Sequence, residues 1–178
     1  TFVDNWAGSS GGGMFNGSAS VPMLTNCTFD NNSAGWGGGM SNSGSSPELA
    51  NCTFSGNWAE NQGGGMYNHN ASSPALSNVS FAGNAADNWG GGMFNLDGSS
   101  PALTNVSFVG NSASWGGGML NSASSPVLTN CGFTGNSADS GGGMYNINYS
   151  SPTLSGCIFD GNSANLIAGG MLNHYSSP

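Results

Sequence analysis

The chain has 178 residues, of which 32 are glycine and eight are acidic, and it contains no lysine and no arginine. Without these cations it cannot neutralise the phosphates of a nucleic acid or hold an anionic membrane surface through a basic patch. No apolar run approaches the roughly 18 residues that a membrane helix needs. We therefore expect neither nucleic-acid binding nor membrane insertion.

One repeat of 25–27 residues occurs seven times along the chain. Each copy opens with Phe-x-x-Asn-x-Ala, and its phenylalanines are Phe2, Phe29, Phe54, Phe81, Phe108, Phe133 and Phe159. A glycine run, a methionine and a second asparagine follow, and the methionines are Met14, Met40, Met66, Met93, Met119, Met144 and Met171. Each copy closes with a proline, which in the first six copies is followed two residues later by a leucine.

This pattern predicts an all-β fold, a right-handed parallel β-helix of about seven coils with three short strands per coil. Apolar residues alternate with polar ones over short stretches that are separated by turn residues, and no 3.6-residue period of a helix occurs. Stacked Phe, Leu and Met columns are expected to fill the core. Stacked asparagine amides are expected to hydrogen-bond along the axis. Residues 1–178 form a single repeat array, and both of its ends are expected to be cut within a coil.

The pairing of Phe-x-x-Asn with Gly-Gly-x-Met resembles the repeats of the chlamydial polymorphic outer-membrane proteins, which carry Phe-x-x-Asn and Gly-Gly-Ala-Ile/Leu/Val. The first motif occurs in all seven copies, from Phe2 and Asn5 to Phe159 and Asn162. In the second, this chain has mostly glycine at the third position and always methionine at the fourth. The resemblance implies a right-handed β-helix on a cell surface, in a family of autotransported adhesins.

The four cysteines occupy one column of the repeat, two residues before the phenylalanine, and valine fills that column in two other copies. Two interpretations follow. The cysteines act as small buried hydrophobes, or Cys27–Cys52 and Cys131–Cys157 form disulfides between adjacent coils, whose strand spacing of about 4.8 Å lies within the permitted range.

Aromatic residues recur at two positions that we expect to face outward. One is the position after methionine, which holds Phe15, Tyr67, Phe94 and Tyr145; the other precedes the glycine run and holds Trp36, Trp89 and Trp115. Side chains alternate along a strand, so a residue that follows an inward methionine should point to solvent. These aromatics either pack locally over the turns or form a stripe that contacts another copy of the protein or a glycan.

Two sequons, at Asn70 and Asn148, fall in the variable turn before Ser-Ser-Pro and are the better candidates for N-glycosylation. Glycosylation at these positions would make the chain a glycoprotein of the extracellular space or cell surface.

The acidic residues are scattered through turns, and the sequence therefore predicts no enzyme. Polysaccharide-cleaving β-helix enzymes need clustered carboxylates. No zinc-type spacing of cysteine and histidine occurs, and no cofactor or metal is expected. A calcium site near Asp4 and Asp30 on adjacent coils is the one alternative.

These observations favour an extracellular structural protein, a β-solenoid subunit of a head-to-tail surface filament. Both ends lack the polar capping segment that solenoids need, and exposed sheet edges favour self-association into a homopolymer. The alternative is a cell-surface adhesin or glycan-binding module of a longer protein. An ice-binding protein is disfavoured because regular threonine arrays are missing.

Overall fold

Every strand pairs in parallel with the equivalent strand of the neighbouring repeat. The computed structural model describes residues 1–178 and contains 26 short strands connected by turns. Identical positions face one another across each pairing, for example Phe54 with Phe81 and Met66 with Met93. Each repeat is therefore one coil, and the seven coils stack into a rod on the order of 33 Å long at the usual strand spacing.

The coil has four faces, which we name after the residue that each points into the core. The Phe sheet contains Phe2–Val3, Thr28–Asp30, Thr53–Ser55, Ser80–Ala82, Ser107–Val109, Gly132–Thr134 and Ile158–Asp160. The Ala sheet contains Trp6–Ser10, Ser33–Trp36, Trp58–Gln62, Ala85–Ala86, Ser137–Ser140 and Ser163–Ile167. The Met sheet contains Met14–Gly17, Met40–Ser43, Met66–His69, Met93–Leu96, Met119–Ser122, Met144–Ile147 and Met171–His174. The Leu sheet contains Met23–Thr25, Glu48–Ala50, Ala75–Ser77, Ala102–Thr104, Val127–Thr129 and Thr153–Ser155.

The predicted fold class, an all-β parallel solenoid of about seven coils, is confirmed. The prediction of three strands per coil is wrong, because the segment around each conserved alanine also pairs with its neighbours. In the coil that begins with Phe108 this fourth strand is reduced to isolated bridges, such as Ser112 with Ala85 and Ser137. The Ala sheet is consequently divided into a four-stranded and a two-stranded part.

Phenylalanine rings form a continuous stack through the core. Neighbouring rings lie 4.5–4.9 Å apart between centroids, and their planes differ by 2–12°. Methionine, leucine and the Cys/Val column complete one core cluster that extends through the array. Each large side chain buried in this way contributes roughly 1.5–3 kcal/mol.

Two columns of buried asparagine form hydrogen-bonded ladders parallel to the axis. In the first ladder, the backbone N–H and the side-chain amide of Asn57 both donate to Oδ1 of Asn84, at 3.1 and 2.8 Å. The amide of Asn84 also donates to the Phe54 carbonyl at 3.0 Å. In the second ladder, Asn68 donates to Asn95 at 2.9 Å. The predicted hydrogen bonding of stacked asparagine amides along the axis is confirmed.

The left-handed corners belong to a third asparagine column, between the Leu and Phe sheets. Its members have φ near +54°, and they are Asn26, Asn51, Asn78, Asn105 and Asn130. Asparagine tolerates this conformation better than most residues. The glycine run is needed for a different reason, which is close approach of the main chains. A Cβ added to Gly92 would lie 2.5 Å from the Gly118 carbonyl oxygen. The backbone of adjacent coils is therefore in contact at this position.

Replacing Asn84 with alanine should destabilise the array strongly. The substitution removes the acceptor of the Asn57 backbone N–H and amide, and it removes one donor each from the Phe54 carbonyl and from Oδ1 of Asn111, which should cost about 3–5 kcal/mol. Thermal denaturation followed by circular dichroism should show a melting temperature lower by roughly 10 °C. The control Asn165→Ala removes an exposed amide of the same type and should shift it little. Equal melting temperatures for the two variants would contradict a structural role for the ladder.

Candidate functional site

The aromatic column after methionine is buried, so the prediction that it faces solvent is wrong for most of its members. Tyr67 is 8% exposed and Phe94 is completely buried. They form a second, smaller apolar cluster with Leu120, against which Trp89 and Tyr145 pack. Phe15 alone remains mostly exposed, at 54%.

A turn of the main chain covers this column. Gly90 begins the glycine run with φ +63°, and a Cβ added to it would lie 2.8 Å from Cβ of Phe94. The Trp89 ring contacts Phe94 edge-on, with centroids 5.5 Å apart. The column does point away from the core, as strand alternation requires, but the preceding turn folds over it. Ser41 stands at the same position and is buried without a hydrogen-bond partner for its hydroxyl.

The tryptophans before the glycine run are partly accessible. Trp36 and Trp115 are 37% and 42% exposed, whereas Trp89 is half-buried between Phe94 and Trp115. The predicted stripe of seven aromatics is thus reduced to separated patches. Tyr67, Phe94 and Trp89 pack locally beneath the turns. Only the other aromatics of the predicted stripe can contact a partner directly.

A shallow polar depression lies on the outer face of the Ala sheet. Its rim carries Asp87, Ser114, Asp139 and Asn165 on successive coils. The Asn165 amide donates to Asp139 at 3.0 Å, and the Trp58 indole donates to Asp87 at 3.3 Å. The sequence analysis missed this row, although the position after the conserved alanine is polar in five consecutive copies, from Glu60 onward.

A second depression, on the outer face of the Leu sheet, is mainly apolar. Met23, Glu48, Ala75 and Ala102 line it. It contains one carboxylate, from Glu48. The depression could therefore make apolar contacts with a ligand, but it lacks the two titratable groups that a general acid–base pair requires.

The four cysteines are free thiols on the inner side of the corner between the Leu and Phe sheets. Cys52 and Cys131 are 1% exposed, and Cys27 and Cys157 are half-buried. Burial raises the pKa of the Cys131 thiol to about 11 and raises that of Cys52 in the same direction. Both buried thiols are therefore protonated at neutral pH and behave there as small hydrophobes.

Asn70 and Asn148 are exposed, each in the left-handed conformation. Their amide nitrogens donate to serines of the preceding coil, Asn70 to Ser43 at 3.1 Å and Asn148 to Ser122 at 3.0 Å. Both side chains remain accessible at the edge of the Met sheet, and N-glycosylation there stays a prediction.

Asp4 and Asp30 lie on adjacent coils, where the Asp4 N–H donates to the Asp30 carbonyl at 3.0 Å. No third carboxylate, histidine or cysteine joins them, and no group of three such side chains occurs anywhere in the chain. The chain forms no helix with the length and apolar character that a membrane span requires.

Exposed large hydrophobic residues are concentrated in the two terminal coils. Nine of the fifteen exposed large hydrophobic residues lie in the first and last coils, and they are Val3, Trp6, Phe15, Val21, Met23, Ile158, Leu166, Ile167 and Tyr175. The core columns also reach these ends, where Phe2 and Met171 are only partly covered. An apolar surface of this kind is typical of protein–protein contact.

Truncating Phe94 to alanine should lower stability rather than remove a surface contact. Its side chain is fully buried, and the loss should cost about 3–5 kcal/mol of unfolding free energy. The matched control Phe15→Ala affects the same column where the ring is 54% exposed and should cost much less. Urea denaturation of the two variants distinguishes the cases, and a Phe94→Ala protein as stable as the parent would mean that this column is not packed as described.

Comparison with known proteins gives one result. The model of the family described as "Right handed beta helix region" matches residues 11–177. No curated protein and no solved structure matches the chain. The matched region includes nearly all of the repeat array, and it agrees with the parallel coils and their in-register columns. The chain therefore belongs to the right-handed β-helix family.

Proposed function

We propose that the chain is an extracellular structural protein, a β-solenoid subunit that stacks head to tail into a filament. The observation that carries this proposal is the common direction of the two asparagine ladders. In both, each asparagine except the last donates its side-chain amide to Oδ1 of the asparagine in the next coil, as from Asn16 to Asn42 at 2.8 Å and from Asn146 to Asn173 at 2.8 Å.

The ladders make the two ends chemically different. In the first coil, Oδ1 of Asn5 and of Asn16 accepts no hydrogen bond, whereas in the last coil the amide of Asn173 donates none. The last coil of one copy therefore complements the first coil of another. Two first coils facing each other would place acceptor against acceptor.

The apolar columns support the same arrangement. Phe2, Met14 and Leu24 are partly covered at one end, and Leu154, Phe159 and Met171 at the other. Each residue in the first set belongs to the same column as one in the second. Stacking would continue the phenylalanine, methionine and leucine columns across the junction, and such a head-to-tail contact propagates instead of closing.

Several features favour an extracellular location. The chain has no lysine or arginine, which removes every cleavage site for trypsin-like proteases. Its resemblance to the repeats of polymorphic outer-membrane proteins also points to a cell surface. The right-handed β-helix family includes enzymes such as pectate lyases as well as proteins without activity. The scattered carboxylates of this chain support a non-enzymatic role.

A second candidate function, glycan binding by a surface adhesin, is favoured by the polar depression on the Ala sheet. Trp58, 41% exposed, donates from its indole N–H to Asp87, which lines this depression together with Ser114 and Asp139. Indole rings can stack on the apolar face of a sugar while carboxylates and hydroxyls bind its hydroxyl groups. The formal charge of −8 favours a neutral glycan over an acidic one.

Electron microscopy and size-exclusion chromatography of the purified 178-residue chain test the filament. We expect fibres with an axial repeat near 33 Å, the length of seven coils. Met171→Lys should block growth, since it would bury an unpaired charge at the junction. The control Val109→Lys places the same charge on a side face, at a residue 44% exposed, and should still assemble.

A monomer at every concentration, or equal assembly by the two lysine variants, would reject end-to-end stacking. Binding of a neutral glycan by such a monomer, lost in Trp58→Ala but retained in Trp6→Ala, would favour the adhesin instead.

A further inference from the structure

In the column that contains the cysteines, two pairs of cysteine flank one pair of valine. From the second coil to the last it reads Cys27, Cys52, Val79, Val106, Cys131 and Cys157. Valine fills the same inward position in the core cluster, so packing alone does not require a thiol there. Each cysteine nevertheless has another cysteine on an adjacent coil, and the two pairs lie near opposite ends of the array.

The backbone holds each pair in register. Thr53 donates its N–H to the Cys27 carbonyl at 2.9 Å, and Ile158 donates to the Cys131 carbonyl at 2.9 Å. The flanking residues Thr28 and Thr53 face each other across the Phe sheet. The Cα atoms of paired cysteines are therefore about one strand spacing apart, roughly 4.8 Å, which is within the range that disulfides span.

In each pair the thiol that is later in the chain points toward the coil of its partner. Sγ of Cys52 lies 3.6 Å from the carbonyl oxygen of Leu24, which precedes Cys27 in the adjacent coil. Sγ of Cys157 lies 3.7 Å from the Leu128 carbonyl oxygen, in the equivalent relation to Cys131. Each pair thus needs only side-chain rotation, and no backbone displacement, to bring its sulfur atoms together.

We propose that Cys27–Cys52 and Cys131–Cys157 are two oxidative modification sites, at which a small disulfide oxidant such as oxidised glutathione forms covalent links between coils. At each site the two thiols lose two protons and two electrons and form one S–S bond. The oxidant takes them up as its own S–S bond breaks, and two molecules of reduced glutathione are released. This inference does not depend on filament assembly.

Access decides the order of the two steps. Cys27 and Cys157 are half-buried and can attack the oxidant first, each giving a mixed disulfide and one released thiol. The buried partner, Cys52 or Cys131, then attacks the protein sulfur of the mixed disulfide and displaces the second glutathione. Only a thiolate is nucleophilic, and burial raises the pKa of Cys131 to about 11. The second step should therefore accelerate as pH rises toward that value.

These links would stabilise both ends of the solenoid. In repeat proteins the terminal units make contact on one side only and unfold most readily. One disulfide would join the second coil to the third, and the other would join the sixth to the last. The two middle coils of the column, which contain Val79 and Val106, have neighbours on both sides.

The test is oxidation of the native chain with oxidised glutathione at pH 8.5, followed by intact mass measurement without reduction. Two disulfides lower the mass of the chain by about 4 Da relative to its reduced form. Because trypsin has no site in this chain, digestion with pepsin at acid pH should identify the linked peptides. The melting temperature should rise by about 5–15 °C on oxidation.

The matched control is the double variant Cys52→Val and Cys131→Val, which carries the residue already found at Val79 and Val106. It should fold, form no disulfide within the chain, stop at a mixed disulfide with glutathione on Cys27 and Cys157, and show no rise in melting temperature with the oxidant. Free thiols in the native parent chain after prolonged oxidation, or disulfides that join Cys27 to Cys131 or Cys157, would overturn the proposal.

Discussion

A buried amide must find a hydrogen-bond partner at a fixed distance, and this requirement determines how the coils are arranged. The asparagines of the two ladders are almost completely buried, where an unpaired amide would cost several kcal/mol. Each finds its main partner in the same residue of the next coil. This pairing is possible only when the coils stack in register at about the strand spacing. The phenylalanine stack and the contacts between glycine backbones use the same register.

The ladders and the apolar columns have complementary roles. Stacked phenylalanine, leucine and methionine supply burial, but apolar contacts are not directional and tolerate a shift of one coil against another. The amide hydrogen bonds are directional and specify one alignment. The glycine run lets adjacent backbones approach closely enough for both, as the tight contact of Gly92 with Gly118 demonstrates.

Much of this fold can be predicted from the sequence because a residue that recurs at a fixed spacing must occupy one environment. The columns of Phe54, Met66 and Asn84 were assigned correctly on that basis. Strand alternation also gave the correct direction for Phe94, away from the core, but it carries no information about what lies over the strand. The turn that begins at Gly90 depends on a left-handed φ, and its path over Phe94 follows from three-dimensional packing.

The candidate sites were less predictable for a related reason. Asp87, Ser114 and Asp139 differ in type, so a search for identical residues in a column does not detect them, although the solenoid places them side by side. The cysteines were recognisable because they share a column. Their different accessibility, with Cys52 buried and Cys27 half-buried, depends on position within the stack and not on sequence context.

The common direction of the asparagine ladders affects how such a protein can change in length. In the asparagine ladders every coil between the first and the last accepts hydrogen bonds from the coil before it and donates them to the coil after it, so a complete internal coil can be removed or duplicated without leaving an amide unpaired. A partial coil would misalign every column beyond it. Length in this family should therefore vary by whole repeats of about 26 residues, each of which changes the rod by one step of roughly 4.8 Å. Unequal recombination between neighbouring repeats would then yield folded products whenever it preserves the frame of the repeat.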